Sequence, residues 1–188
     1  NTAGSNTVIA VPIAGAFTLT KDGAGTLTLA GVNTFSGGLA FPAGQLNLNS
    51  ATALGAATAT FNINGGATIN NTSGGSVTIA NNNPIAISAS FTFAGANNLN
   101  LGAGSVNNGS LTKTITVSTN TLTFGGAFTG AGPVIKAGNG ILEMAGASTG
   151  IGGGLTVNGG TLRVTGSLST NTVTVGGSGT LSGTGTIG

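Results

Sequence analysis

Six side chains carry charge in 188 residues: Lys21, Asp22, Lys113, Lys136, Glu143 and Arg163. Any acid–base chemistry must be drawn from these, because the chain contains neither His nor Cys. Their absence removes zinc sites of the usual Cys/His kind, imidazole triads and disulfide frameworks together. Two carboxylates remain for paired acid and base work, and that chemistry needs them within about 9.5 Å of each other. Asp22 precedes one copy of an internal repeat and Glu143 lies inside another. Both read as solvent-facing, and the clustered acids and bases of β-helix polysaccharide enzymes cannot be assembled from this inventory. The run Gly183-Thr184-Gly185-Thr186-Ile187-Gly188 fits the spacing of a dinucleotide fingerprint. No helix pattern follows it and no acid stands about 20 residues on, so it reads as a glycine-rich turn. Calcium-binding nonapeptide repeats need an Asp in every turn, which is missing. No catalytic residue, metal or cofactor is expected, and the chain reads as a non-enzyme.

Charged residues make up 3% of the chain, against about 25% in ordinary domains. A net charge of +2 forms no basic patch, and eight Phe without Tyr or Trp do not make a nucleic-acid surface. Disorder pairs low hydrophobicity with high charge; this chain is 39% hydrophobic and nearly uncharged. No apolar run reaches the ~18 residues of a membrane helix. The sequence opens at Asn1 with no charged-then-apolar leader, so any signal peptide is expected to have been removed or to lie outside it.

With so little chemistry on offer, function rests on the elements themselves. Apolar residues come in short period-two pairs, including Leu27/Leu29, Leu46/Leu48, Phe61/Ile63, Ile85/Ile87, Leu142/Met144 and Leu162/Val164. Period two marks a strand with one buried face, and these twelve residues are the expected structural core. Asn64-Gly65, Asn108-Gly109, Asn139-Gly140 and Asn158-Gly159 lie between runs and predict positive-φ turns. Strand pairs recur every 6 to 12 residues or so, without a 3.6-residue period anywhere.

Residues 21–48 and 136–164 align as an internal repeat once a single glycine is inserted in the second copy. A unit of this kind buries its apolar face only by stacking on neighbours, which predicts one continuous solenoid over residues 1–188. With three short strands per coil, inward Leu, Ile, Val and Phe stack in columns ~4.8 Å apart, and corner Asn side chains are expected to form ladders. Paired threonines (Thr18/Thr20, Thr26/Thr28, Thr58/Thr60, Thr114/Thr116, Thr121/Thr123, Thr172/Thr174) would point outward; their irregular spacing argues against a flat ice-binding array.

The segments "GAGTLTLAGVNTFSGG", "AGQLNL" and "KAGNGILEMAGAS…GGGLTVNGGTLRV" resemble the autotransporter-associated β-strand repeat of bacterial autotransporter passengers. "SATALG", "NNNPIAI" and "GSGTLSGTGTIG" are similar to segments found between or after such repeats. The second copy departs from the pattern, with Gly150 and Ile151 standing where the first has Phe35 and Ser36. The resemblance implies a right-handed parallel β-helix, secreted or on the bacterial surface, acting as stalk or fibre, with no common catalytic residues. The expected function is a structural solenoid, a stalk or fibre subunit, whose uncapped end rungs have two explanations: the residues are a piece of a longer coil that continues past Gly188, or copies stack head to tail into a filament. The alternative is an adhesin segment of a passenger that contacts glycans or a host surface.

Overall fold

A computed structural model describes residues 4–170 and 172–188. The described residues contain no helix, so none is long and apolar enough to cross a membrane. The chain is an all-β, parallel solenoid whose first wall holds nine strands, one per coil. These run from Thr7–Ile9 through Thr26–Leu29, Gln45–Leu48, Thr68–Asn70, Phe91–Phe93, Lys113–Val117, Val134–Ala137 and Leu155–Val157 to Val173–Val175. The second wall holds six strands, from Val77–Thr78 to Gly179–Ser182. The third holds five, from Leu19–Thr20 to Val106–Asn107. A Val106–Phe128 bridge extends the third wall, and the Phe128 N–H donates to Ser148 Oγ at 3.1 Å. Ser148 opens onto a further three-stranded sheet, Ala147–Ile151, Ser167–Thr170 and Thr186–Ile187, which continues that wall.

Each wall stacks its inward residues in register, because a parallel ladder places like positions of successive coils one strand spacing apart. Leu27, Leu46, Ile69, Phe93 and Val117 form one column of the first wall. Val77, Leu99, Leu122, Leu142 and Leu162 form one of the second. Leu39, Phe61, Ile85 and Val106 do the same on the third. The twelve residues singled out from periodicity fall into six stacked pairs, Leu27–Leu46, Leu29–Leu48, Phe61–Ile85, Ile63–Ile87, Leu142–Leu162 and Met144–Val164. None is more than 6% exposed.

The expectation of three strands per coil needs correcting for the first coils. Residues 30–38 and 49–60 occupy the second-wall position there without forming strands. Phe35, Ala53 and Leu54 still point inward and are buried, so the core continues although the ladder is interrupted. Asn33 bridges the gap by accepting from the Ile13 N–H and donating to the Ala53 carbonyl, at 3.0 and 3.1 Å.

The repeat is also rotated about the axis. Leu27 and Leu29 of the first copy lie on the first wall, whereas their counterparts Leu142 and Met144 lie on the second. The inserted residue belongs earlier than the sequence alignment put it. Between Ser148 and Ile151 the ladder is bulged against Leu168 and Thr170, and the extra residue is absorbed there. Ile151, fully buried, thereby takes the inward place that Phe35 takes in the first copy.

The Asn-Gly turns follow a different rule from the one expected. Only Gly109 of the four has positive φ, at 66°. Gly65 is required for space, since a Cβ there would collide with the Pro42 carbonyl oxygen of the preceding coil.

Candidate functional site

Three of the four cations are buried, a feature the sequence reading did not anticipate. Lys21 is 1% exposed, Lys136 is 0% and Lys113 is 4%. Lys136 is the next-to-last residue of the strand Val134–Ala137, where the chain leaves the first wall for the second. Its Nζ donates to the carbonyls of Ala137 and Gly138 at 2.8 Å and to Gly159 of the next coil at 3.0 Å. Lys21 follows the strand Leu19–Thr20 at the corner between the third and first walls. Its Nζ donates to the backbone carbonyls of Asp22, Gly23 and, one coil on, Ala43 at 3.0, 2.7 and 3.1 Å. The two lysines are the aligned first residues of the repeat, and Gly23 and Gly138 share the same left-handed turn, φ 76° and 77°. That turn aims successive carbonyls inward at one ammonium, which holds the corner and ties it to the following coil.

Burial pushes both amines below the ordinary lysine value of 10.5. Desolvation lowers Lys21, partly opposed by neighbouring Asp22, while desolvation alone brings Lys136 to about 8. Lys113 is built differently, with one carbonyl partner, Leu111, at 3.0 Å.

The two carboxylates are held apart. Asp22 is exposed at the Lys21 corner and accepts from the Gly23 N–H at 2.7 Å. Five first-wall steps separate the strand after it from the strand before Glu143, or about 24 Å along the axis at one strand spacing per step. Glu143 faces outward on the second wall between Thr123 and Arg163 in neighbouring coils. It meets Arg163 Nη2 at 3.1 Å and accepts from Thr123 and Thr165 hydroxyls at 3.1 and 3.2 Å. Among the described residues no group of His, Cys, Asp or Glu is arranged to hold a metal ion.

The paired threonines fall on all three walls, with Thr20 on the third and Thr18 just before its strand, Thr26/Thr28 and Thr114/Thr116 on the first, and Thr121/Thr123 on the second. Thr28 faces away from the core but is 8% exposed, because Asn47 Nδ2 of the next coil donates to its hydroxyl at 2.8 Å. Asparagine ladders of side chain on side chain are replaced by side chain on backbone. Asn83 Nδ2 donates to the carbonyls of Leu54, Ala56 and Ala59, Asn71 reaches Asn98 and Asn108 reaches Gly132. Corners expose carbonyls that no strand partner takes, and a buried amide satisfies several of them at once.

Compared with known proteins, the sequence is 33% identical over 182 residues to "Adhesin BmaC autotransporter" of Brucella suis biovar 1 (strain 1330). That alignment covers 96% of this chain, and the chain spans 4% of that protein's length. No family model matches the sequence, and no solved structure matches it.

Proposed function

We propose, from the premise that this chain is an autotransporter-passenger-like β-solenoid, that it is a non-catalytic, surface-displayed segment of an adhesin. One observation carries the reading: similarity to an adhesin autotransporter runs along nearly the whole of an unbroken nine-strand wall. A solenoid of this kind acts by length and stiffness, since every coil is hydrogen-bonded to the next along the axis. Its outer walls offer Thr, Asn and Ser to surface glycans or a host surface. The test is display ahead of an outer-membrane translocator in a bacterium. Added antibody should reach the segment on intact cells, and those cells should adhere to a host-cell layer better than cells bearing the translocator alone. Intracellular retention, or display without any gain in adhesion, would sink the reading.

A finer proposal concerns assembly. In the last coil Val175, Leu181 and Ile187 are 44%, 38% and 45% exposed, although each stands at the end of an inward column. A further coil in register would bury them. If that coil belongs to a second copy the contact is heterologous and propagates as a filament. Sedimentation at micromolar concentration should then show growth with time, whereas a stable monomer over days removes the filament.

A further inference from the structure

We infer that the cleft beside Lys113 binds the carboxylate of a single acidic sugar ring. The cleft holds about 260 Å³, below the ~300 Å³ at which drug-sized sites begin, and so suits one ring. It lies at the corner between the third and first walls, across two successive coils. Ile87 and Ser88 line it from one coil, Asn107, Ser110, Leu111 and Lys113 from the next.

Lys113 is the one charged side chain of this lining, and its ammonium is under-partnered. Lys21 and Lys136 each give three N–H donors to three carbonyls. Lys113 gives one, to Leu111, and no described carboxylate pairs with it. Two donors of a side chain that lines the cleft and is 4% exposed therefore have no protein acceptor among the described residues, and an acceptor seated in the cleft can take them. A carboxylate supplies two acceptor oxygens and the compensating charge.

The remaining lining suits a polyhydroxylated body better than a bare anion. The Ser88 and Ser110 hydroxyls are exposed and bonded to no described residue. Asn107 Oδ1 accepts from the Gly109 N–H at 2.8 Å, and no hydrogen bond among the described residues uses its N–H₂, which leaves that group as a donor. Leu111, 72% exposed on the rim, offers an apolar surface to the C–H face of a ring. The inference goes beyond the adhesin reading and stands without it, since it rests on the cleft alone.

The test is an NMR titration of the intact chain with methyl glucuronide, with the methyl glycoside of N-acetylneuraminic acid, and with methyl glucoside as the uncharged control. We expect at least one acid to give saturable shifts confined to residues 86–88 and 107–113, at least about tenfold tighter than the glucoside. Which acid binds distinguishes a uronate from a sialic acid. Lys113→Met, which keeps the stem and removes the charge, should weaken binding by about the same factor. The shift map in the unaltered chain decides the matter even where that variant fails to fold. Equal affinity for the glucoside, shifts elsewhere on the solenoid, or no saturable shift with either acid overturns the inference.

Discussion

Lys136 Nζ donates to the Gly159 carbonyl at 3.0 Å, and this bond crosses from one coil to the next. Lys21 makes the same crossing to Ala43 at 3.1 Å. Alongside the strand ladders, the apolar columns and the asparagine amides that join one coil to the next, these ammonium groups stitch the corners, where the ladder lapses.

Replacing Lys136 by Met should therefore destabilise the chain although the aliphatic stem is kept. Three partly buried carbonyls lose a charged donor, and a hydrogen bond to a charged group contributes about 1.5–3 kcal/mol, less where water reaches the freed carbonyls. Chemical denaturation should show a lower midpoint with an unchanged slope. A midpoint equal to or above the parent's would mean that the corner holds without its cation.

The same burial gives stability a pH dependence. The folded-state pKa of Lys136, about 8, lies below its ordinary value of 10.5. Between those values the unfolded chain binds the proton and the folded chain does not, so unfolding becomes less favourable as pH rises. Stability should climb from pH 8 to about 10.5, with Lys21 adding in the same direction, and this residue's contribution should be flat on either side. In Lys136→Met the climb should shrink. A midpoint falling over that window in the parent would contradict the assignment.

Core substitutions should rank by position in the stack. Leu142 is 0% exposed between Leu122 and Leu162, so Leu142→Ala should cost about 2–5 kcal/mol and Leu142→Asp should prevent folding. Leu27, 6% exposed, should tolerate Asp slightly better, though still poorly. Thr28→Ser keeps the hydroxyl that Asn47 reaches and should cost well under these. Thermal melts of the four variants give the order, and a reversal between Thr28→Ser and Leu142→Ala would invalidate the assignment of inward and outward faces.

Strand faces were legible because burial on a strand has a period of two, which Leu27/Leu29 and Leu142/Met144 write openly. Corners were not, because their chemistry is set by neighbours one coil away. Lysine at a strand end reads as a solvated residue, and only its recurrence at the head of both repeat copies hinted that Lys21 and Lys136 share a task. The rotation of the second copy by one wall was hidden for a related reason. Every corner must gather stray carbonyls, so the same Lys-x-Gly turn serves at two different corners, and alignment compares residues without reference to the axis. Residues 30–38 and 49–60 escaped because their inward Phe35 and Leu54 are held by loops, where no alternation is required.

The adjacent glycines 65 and 66 separate conformational from steric need within a single turn. Neither has positive φ, so an alanine at either position meets no backbone penalty of the left-handed kind. At Gly65 a Cβ would run into the Pro42 carbonyl oxygen, which belongs to the preceding coil and cannot swing aside as a flexible side chain could. At Gly66 a Cβ would meet nothing within 4 Å. Gly65→Ala must push two coils apart at that corner, an overpacking cost of about 1–3 kcal/mol. Gly66→Ala removes freedom from the unfolded chain at no steric cost and should stabilise by up to about 1 kcal/mol. Denaturant midpoints of the two variants, measured side by side, should therefore move in opposite directions from the parent. Equal shifts for both would show that the coils at Pro42 and Gly65 are packed less closely than the structure has them.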